Sequence, residues 1–173
     1  MQKLPSGTVT FLFTDIEGST KLWQDYPDAM RPALARHDVL LWEAMTQNDG
    51  FVFKTVGDAF YSAFATAPEA MRAALAAQVA LAAEPWSAGT ELRVRMALHT
   101  GSAEERDGDY YGPPLNRVAR LLAAGHGDHR PGRPHGDAPV RAVQTADGGL
   151  SARGGARGDP HRQRPRAALR ADL

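Results

Sequence analysis

The sequence of 173 residues contains no cysteine, so disulfide bonds and metal sites built on thiolates are excluded. Long apolar runs are also missing. The N-terminal apolar stretch is too short for a signal peptide or a membrane span, and charged or amide side chains interrupt the later Ala-rich stretch. Any bound metal must therefore use oxygen or imidazole ligands, and we predict a cytoplasmic protein that binds no membrane.

An excess of either charge is absent too, because 20 basic residues balance 20 acidic ones. The balance hides two unlike parts: residues 128–173 hold nine arginines against five aspartates, whereas residues 1–127 carry a net charge of −4. Residues 128–173 also lack Phe, Tyr, Trp, Ile, Met, Lys and Glu, so they bury too little apolar surface to offset chain entropy. We therefore predict one domain over residues 1–127 and a disordered Arg/Gly/Pro/Ala-rich tail over 128–173.

Two interpretations of the tail stay open. A basic arm could bind nucleic acid, but this segment has no aromatic side chains to stack on bases, so we predict no nucleic-acid partner. Frameshifted translation of GC-rich coding sequence is the other interpretation, because it also yields Arg, Pro, Gly and Ala in excess.

Periodicity over the first 124 residues predicts alternating strands and helices. The predicted elements are a strand at 8–13, helices capped by Ser19 and Asp28, a hairpin at 51–64 turning at 57–58, a helix from a capping box at 66–69 to about 83, a strand at 92–100, and a helix within 112–124 whose inner side includes Ala119. This order is typical of an α+β sandwich with helices packed on a mainly antiparallel sheet.

Two carboxylates stand out in this arrangement. Asp15 ends the first predicted strand and Asp58 lies in the hairpin turn, so both reach the same sheet edge if the strands are neighbours. Oxygen ligands of this kind suit Mg²⁺ or Mn²⁺, which often keep substrate phosphate in their shell. Gly18, Ser19 and Thr20 follow at a helix start, whose free N–H groups favour phosphate. Together they predict a nucleoside triphosphate site, although each piece alone is also ordinary capping or turn chemistry.

Four segments carry a resemblance to a known family. "FLFTDIEGST", "FKTVGDAFYSAF", "VRMALHTGSA" and "GDYYGPPLNRVARL" resemble, in order, the motifs of the class III adenylate/guanylate cyclase catalytic domain. The resemblance covers about residues 8–127. It implies a ferredoxin-like sandwich that cyclises a nucleoside triphosphate at the interface of a head-to-tail homodimer.

The resemblance also implies roles for individual residues. Asp15, Asp58 and the carbonyl of Ile16 match the groups that bind two Mg²⁺ or Mn²⁺ ions. Lys54 and Asp109 match the pair that selects the purine, and a Lys/Asp pair suits adenine, so ATP is the predicted substrate.

Two further positions, Asn116 and Arg120, match the catalytic pair that stabilises the transition state. In the family the metal aspartates belong to one subunit, and the purine and transition-state residues to the other. One chain then holds two half-sites and completes neither.

The C-terminal part departs from the family pattern. The family continues with further strands and a lysine that contacts the triphosphate, whereas this chain has no lysine after Lys54 and no strand pattern there. We therefore predict an adenylate cyclase domain lacking its C-terminal strands, which makes cyclic AMP and pyrophosphate by two-metal catalysis. The alternative is a catalytically impaired pseudo-cyclase that binds nucleotide or pairs with another cyclase chain.

Overall fold

The computed structural model of the chain describes residues 4–124 and the backbone of residues 143 and 144. Its elements are, in chain order, β1 (Gly7–Ile16), α1 (Ser19–Asp25), α2 (Pro27–Thr46), β2 (Phe51–Val56), β3 (Ala59–Phe64), α3 (Ala67–Ala83), β4 (Val94–Arg106), β5 (Asp109–Tyr111), α4 (Pro113–Ala124) and β6 (Val143–Gln144). Strands pair in the order β2-β3-β1-β4-β5, each pair antiparallel, and β6 pairs with β4 in parallel. The predicted α+β architecture, with helices on a mainly antiparallel sheet, is confirmed.

The central strand β1 is buried on both faces, which explains its nearly continuous apolar sequence. Leu12 and Ile16 point to one side, where they join a cluster containing buried side chains of α2 and α3. Phe11 and Phe13 point to the other side and join a smaller cluster with Val118 of α4. Successive strand residues alternate between faces, so this pattern places α2 and α3 under the sheet and α4 over it.

The helix starts differ in part from prediction. The capping box of α3 is confirmed, with the Glu69 amide donating to Thr66 Oγ1 at 3.4 Å and the Thr66 amide to Glu69 Oε2 at 3.0 Å. Ser19 does not cap α1, because Gly18 occupies the N-cap with φ 67°. Asp28 is not the cap of α2 either. Pro27 opens that helix, since its fixed φ and missing N–H suit a first position.

The fourth and fifth strands form a hairpin that the sequence did not predict. The expected strand at 92–100 starts at Val94 and continues to Arg106. Asp107 and Gly108 then turn with φ of 54° and 80°, the two positive values of a type I′ turn, and β5 returns. Tyr110 of β5 packs its ring 5.2 Å from Phe11. The hairpin therefore folds over the α4 side of the sheet.

Two smaller predictions also need correction. Ala119 is exposed, although it was placed on the inner side of the last helix, because α4 packs through Pro114 and Val118. Residues 143 and 144 pair with Leu98 and His99, although no strand was expected there. The domain boundary at 127/128 and the predicted disorder of the tail otherwise fall outside the described residues.

A buried histidine, His37, leads us to expect that the stability of the fold depends on pH. His37 of α2 is fully buried with its ring 5.9 Å from the ring of Phe60, and its Nδ1 lies 2.9 Å from Asp38 Oδ1. Burial lowers the pKa of His37, against smaller opposing contributions from Asp38 and Asp58. The folded chain therefore favours neutral His37.

We expect the unfolded state to take up a proton at this site first, as pH falls below about 6.5. The stability that neutral His37 contributes is present above that pH and is lost below it, by at most about 1.4 kcal/mol per pH unit. Urea unfolding of the wild type and His37→Leu between pH 7.5 and 5 measures this. The variant should lose less stability over that range, and parallel curves would contradict the assignment to His37.

Candidate active site

Asp15 was predicted to end the first strand, and it is the second-last residue of β1, which continues to Ile16 beyond the predicted 8–13. Residues pair across β1 and β4 so that Arg95 stands opposite Asp15. Arg95 Nε donates to Asp15 Oδ1 at 2.8 Å and Arg95 Nη2 donates to Oδ2 at 2.7 Å. The partly buried Asp15 carboxylate therefore has a positively charged partner, which offsets the desolvation cost of an acid in this strand.

Asp58 approaches the same place from the neighbouring hairpin. Gly57 supplies the positive φ of 60° that the two-residue turn between β2 and β3 requires at its first position. Asp58 Oδ2 then accepts a hydrogen bond from the Ile16 amide at 2.9 Å. The structure thus brings Asp58 against the residue that follows Asp15, at one edge of the sheet.

The donor set suits a hard divalent cation. Within residues 4–124 no three His, Cys, Asp or Glu side chains lie close enough together to form a metal site, so a metal here would have to use fewer protein side chains. The two aspartates and the carbonyl of Ile16 offer oxygen ligands only. Mg²⁺ and Mn²⁺ accept such a set, because they commonly bind one or two carboxylates and complete their shells with water and substrate phosphates.

The turn after β1 is shaped by one glycine. Gly18 adopts φ 67° and has no atom within 4 Å of the position of an added Cβ, so the turn is open to solvent. Its carbonyl accepts hydrogen bonds from the amides of Lys21 and Leu22 at 3.0 and 3.1 Å. Ser19 and Thr20 open α1, which has only seven residues. Phosphate contact at Gly18, Ser19 and Thr20 stays a prediction.

Lys54 and Asp109 form an ion pair that joins β2 to β5. Lys54 Nζ donates to Asp109 Oδ2 at 2.8 Å, and the Tyr110 amide donates to Asp109 Oδ1 at the same distance. This hydrogen bond raises the pKa of the Lys54 ammonium and lowers the pKa of the Asp109 carboxyl. The Phe53 and Tyr110 rings pack 5.0 Å apart beside the pair. Both groups are therefore charged at neutral pH. The β2–β3 hairpin carries Lys54 and the β4–β5 hairpin carries Asp109.

Asn116 and Arg120 lie one turn apart on α4, so their side chains share a face. Both residues are exposed, because α4 packs on the sheet through Pro114 and Val118 instead. Within residues 4–124 no hydrogen bond or ion pair joins either side chain to Asp15 or Asp58. The structure thus joins Lys54 to Asp109, places Asp58 on the amide of Ile16, the residue after Asp15, and leaves the α4 pair exposed.

Sequence reasoning missed two residues that shape the site. Arg95 could not be recognised from the sequence, because its pairing with Asp15 depends on the register between β1 and β4. The alternation of "VRMAL" could only have indicated which face of the sheet it lies on. Gly101 was also missed. A Cβ at Gly101 would lie 2.7 Å from Pro114 Cγ, so glycine allows α4 to approach β4.

Replacing Gly101 by alanine should therefore displace α4 and the two polar residues it carries. We expect Gly101→Ala to lower the free energy of unfolding by about 1–3 kcal/mol, the usual cost of overpacking. Urea titration followed by circular dichroism measures the change. The adjacent exposed residue provides the matched control Ser102→Ala, which should change stability little. Equal stability of the two variants would show that the contact with Pro114 relaxes freely.

None of the helices between residues 4 and 124 is long and apolar enough to cross a membrane.

The fold and its paired charges define an α+β domain that gathers polar groups at the ends of central strands. The sequence profile of the family described as "Adenylate and Guanylate cyclase catalytic domain" matches residues 1–128, and the chain belongs to that family. An uncharacterised protein of Mycobacterium tuberculosis is 42% identical over 125 residues, covering 71% of this chain and 41% of the relative. The adenylate cyclase of Podospora anserina is 34% identical over 148 residues, covering 71% of this chain and 7% of the relative.

Solved structures agree with this assignment. An adenylate cyclase of Trypanosoma brucei in its monomeric state superposes with a TM-score of 0.62 at 29% identity, over 69% of this chain and 70% of the other. A bacterial light-regulated adenylyl cyclase, 19% identical, has the same fold with a TM-score of 0.60 over 70% and 71% of the two chains. The chain spans about two fifths of the mycobacterial relative and a much smaller share of the fungal one.

Proposed function

We propose that this chain is an adenylate cyclase catalytic domain that converts ATP to 3′,5′-cyclic AMP and pyrophosphate, for signalling in the cytoplasm. One observation carries the proposal. Lys54 and Asp109, 55 residues apart in the sequence, form a hydrogen bond of 2.8 Å, and the rings of the adjacent residues Phe53 and Tyr110 pack 5.0 Å apart. The family membership and the adenylate cyclases among its relatives support the same reaction.

The Lys54–Asp109 pair suits adenine. Its hydrogen bond keeps the lysine protonated and the aspartate ionised at neutral pH, so the pair offers one donor and one acceptor. Adenine presents a ring nitrogen that accepts and an amino group that donates. Guanine carries a carbonyl in place of that amino group and an N1–H donor in place of the ring acceptor, so it would need the donor and the acceptor of the pair exchanged. ATP is therefore the proposed substrate.

The reaction needs in-line attack of the ribose 3′-oxygen on the α-phosphorus. A new bond from the 3′-oxygen to the α-phosphorus closes the ring as the 3′-hydroxyl proton passes to water, the bond from the α-phosphorus to the oxygen that bridges it to the β-phosphorus breaks, and pyrophosphate leaves. Bound Mg²⁺ or Mn²⁺ supplies charge neutralisation and lowers the pKa of the 3′-hydroxyl. Arg120 would stabilise the charge that develops on the α-phosphate oxygens, and Asn116 would orient the ribose. Asp15, Asp58 and the Ile16 carbonyl would hold the ions.

A head-to-tail homodimer would complete the site. Asp15 and Asp58 lie near the strand ends of one chain, while Asn116 and Arg120 are exposed on α4. Side chains that face outward can reach a second chain, so a partner would supply the α4 pair and the Lys54–Asp109 pair. Each dimer then contains two equivalent sites.

The test is product formation by the purified 173-residue chain at concentrations that favour dimers. Incubation with ATP and Mn²⁺ or Mg²⁺ should yield cyclic AMP, identified by chromatography against the authentic compound. Chelation of the metal should stop the reaction, and GTP should yield product more slowly than ATP. A well-folded dimer that makes no cyclic AMP at any metal concentration would contradict the proposal.

A second candidate is a pseudo-cyclase that binds nucleotide without turnover, alone or paired with another cyclase chain. The observation favouring it is that no lysine follows Lys54, where the resemblance implied a lysine for the triphosphate. A non-hydrolysable ATP analogue with Mn²⁺ at 100 times its Kd should stabilise such a protein by about 2.7 kcal/mol, read as a rise in melting temperature. A rise without cyclic AMP supports this candidate, and no rise opposes both.

A further inference from the structure

The proposed metal site already contains a positive charge of its own. Arg95 of β4 places its guanidinium in register against Asp15, with two parallel hydrogen bonds of 2.8 and 2.7 Å to the two carboxylate oxygens. The side chains of Arg95 and Asp15 are 15% and 25% exposed, so solvent screens the pair only in part. The fork geometry is the strong form of an arginine–carboxylate contact.

This pairing bears directly on metal binding. An ionised carboxylate offers about four lone-pair sites, and the guanidinium uses one on each oxygen. Arginine cannot lose its proton in a protein, so no change of pH within the physiological range removes the positive charge. A divalent ion that approaches Asp15 must therefore displace Arg95 or bind beside it against Coulomb repulsion.

We propose that Arg95 is a built-in competitor for the metal at Asp15, which weakens divalent-ion binding to the nucleotide-free chain. This inference rests on the proposed metal site of Asp15 and Asp58. It makes Arg95 a positioning residue that acts through Asp15. The metal then binds effectively only together with an anionic ligand, whose negative charge offsets both cations.

A purely structural role for Arg95 predicts something different. In that case the ion pair fastens β1 to β4, and its removal lowers stability without strengthening metal binding. The two roles therefore differ in the sign of the change in metal affinity, which a stability measurement alone does not report.

The experiment titrates Mn²⁺ alone into the full 173-residue chain and follows free Mn²⁺ by electron paramagnetic resonance. The proteins are the wild type, Arg95→Gln, Arg95→Lys and the matched control Arg106→Gln, whose arginine is exposed and pairs with Glu104. We expect Arg95→Gln to bind Mn²⁺ about tenfold or more tightly than the wild type, because one unit charge next to a divalent ion is removed. Arg95→Lys should fall between them, since it keeps the charge but loses the fork. Arg106→Gln should match the wild type.

Adding Asp58→Asn to Arg95→Gln tells whether the gained affinity belongs to this site, because the double variant should lose it. The inference would be overturned if the wild type, Arg95→Gln and Arg95→Lys bound Mn²⁺ with equal affinity. If that binding still depended on Asp58, the proposed metal site would remain supported. Binding that ignores Asp58 in every protein, with or without an ATP analogue, would overturn the proposed site itself. Where Arg95→Gln does not fold by circular dichroism, the comparison of Arg95→Lys with the wild type decides.

Discussion

Asp58→Asn is expected to reduce cyclic AMP formation by about 100-fold or more while the fold is kept. Loss of groups that only support metal ligands already costs roughly 10–100-fold, and Asp58 is proposed as a ligand itself. Asparagine keeps a carbonyl oxygen that can accept the 2.9 Å hydrogen bond from the Ile16 amide. The variant therefore removes the charge and leaves the contact that orders the turn. The measurement is kcat/KM with ATP and Mn²⁺ for each protein.

Asp107→Asn is the matched control for that substitution. Asp107 also lies in a two-residue hairpin turn, with φ 54°, a conformation that asparagine tolerates well. It removes the same charge from the other hairpin, so its activity should stay close to that of the wild type. If Asp58→Asn retained wild-type kcat/KM while folded, Asp58 would not be a metal ligand in the reaction.

Mixing two inactive variants is expected to restore activity. Asp58→Asn damages one half-site and Arg120→Ala the other, so neither homodimer contains an intact site. In an equimolar mixture about half of the dimers combine the two chains, and each of these has one fully intact site out of two. Recovered activity should reach about a quarter of the wild-type value after subunit exchange.

The matched comparison mixes Asp58→Asn with Asp15→Asn. Both changes lie in the same half-site, so every site in every dimer keeps a damaged metal position and activity should stay low. Recovery in the first mixture alone establishes sharing between chains. Equal activity of both mixtures would mean that each chain builds its site alone, which contradicts the head-to-tail arrangement.

Local chemistry made part of the fold predictable from sequence. The strands of the β2–β3 hairpin begin and end at the predicted residues, because Gly57 and Asp58 form a two-residue turn between two apolar runs. The start of α3 was predictable for the same reason, since the capping box is contained in four consecutive residues. Interactions within such short segments are fixed by the residues themselves.

Features that depend on distant parts of the chain were not predictable. The Arg95–Asp15 pair joins residues 80 apart, and only the register of β4 against β1 brings them together. Strand β5 has only three residues, which is too few for an alternating pattern to be recognised. The Asp107-Gly108 pair before it is nevertheless a typical hairpin turn sequence. The Lys54–Asp109 pair was implied by a resemblance, and its 2.8 Å contact depends on the same hairpin.

The length of β4 has a consequence for communication within a dimer. This one strand carries Arg95 at the proposed metal position and, through its hairpin, Asp109 at the proposed purine position. In the proposed dimer these two positions belong to different active sites, so each β4 would span from one catalytic centre to the other. A displacement of β4 on nucleotide binding at one centre would then move a binding residue of the other.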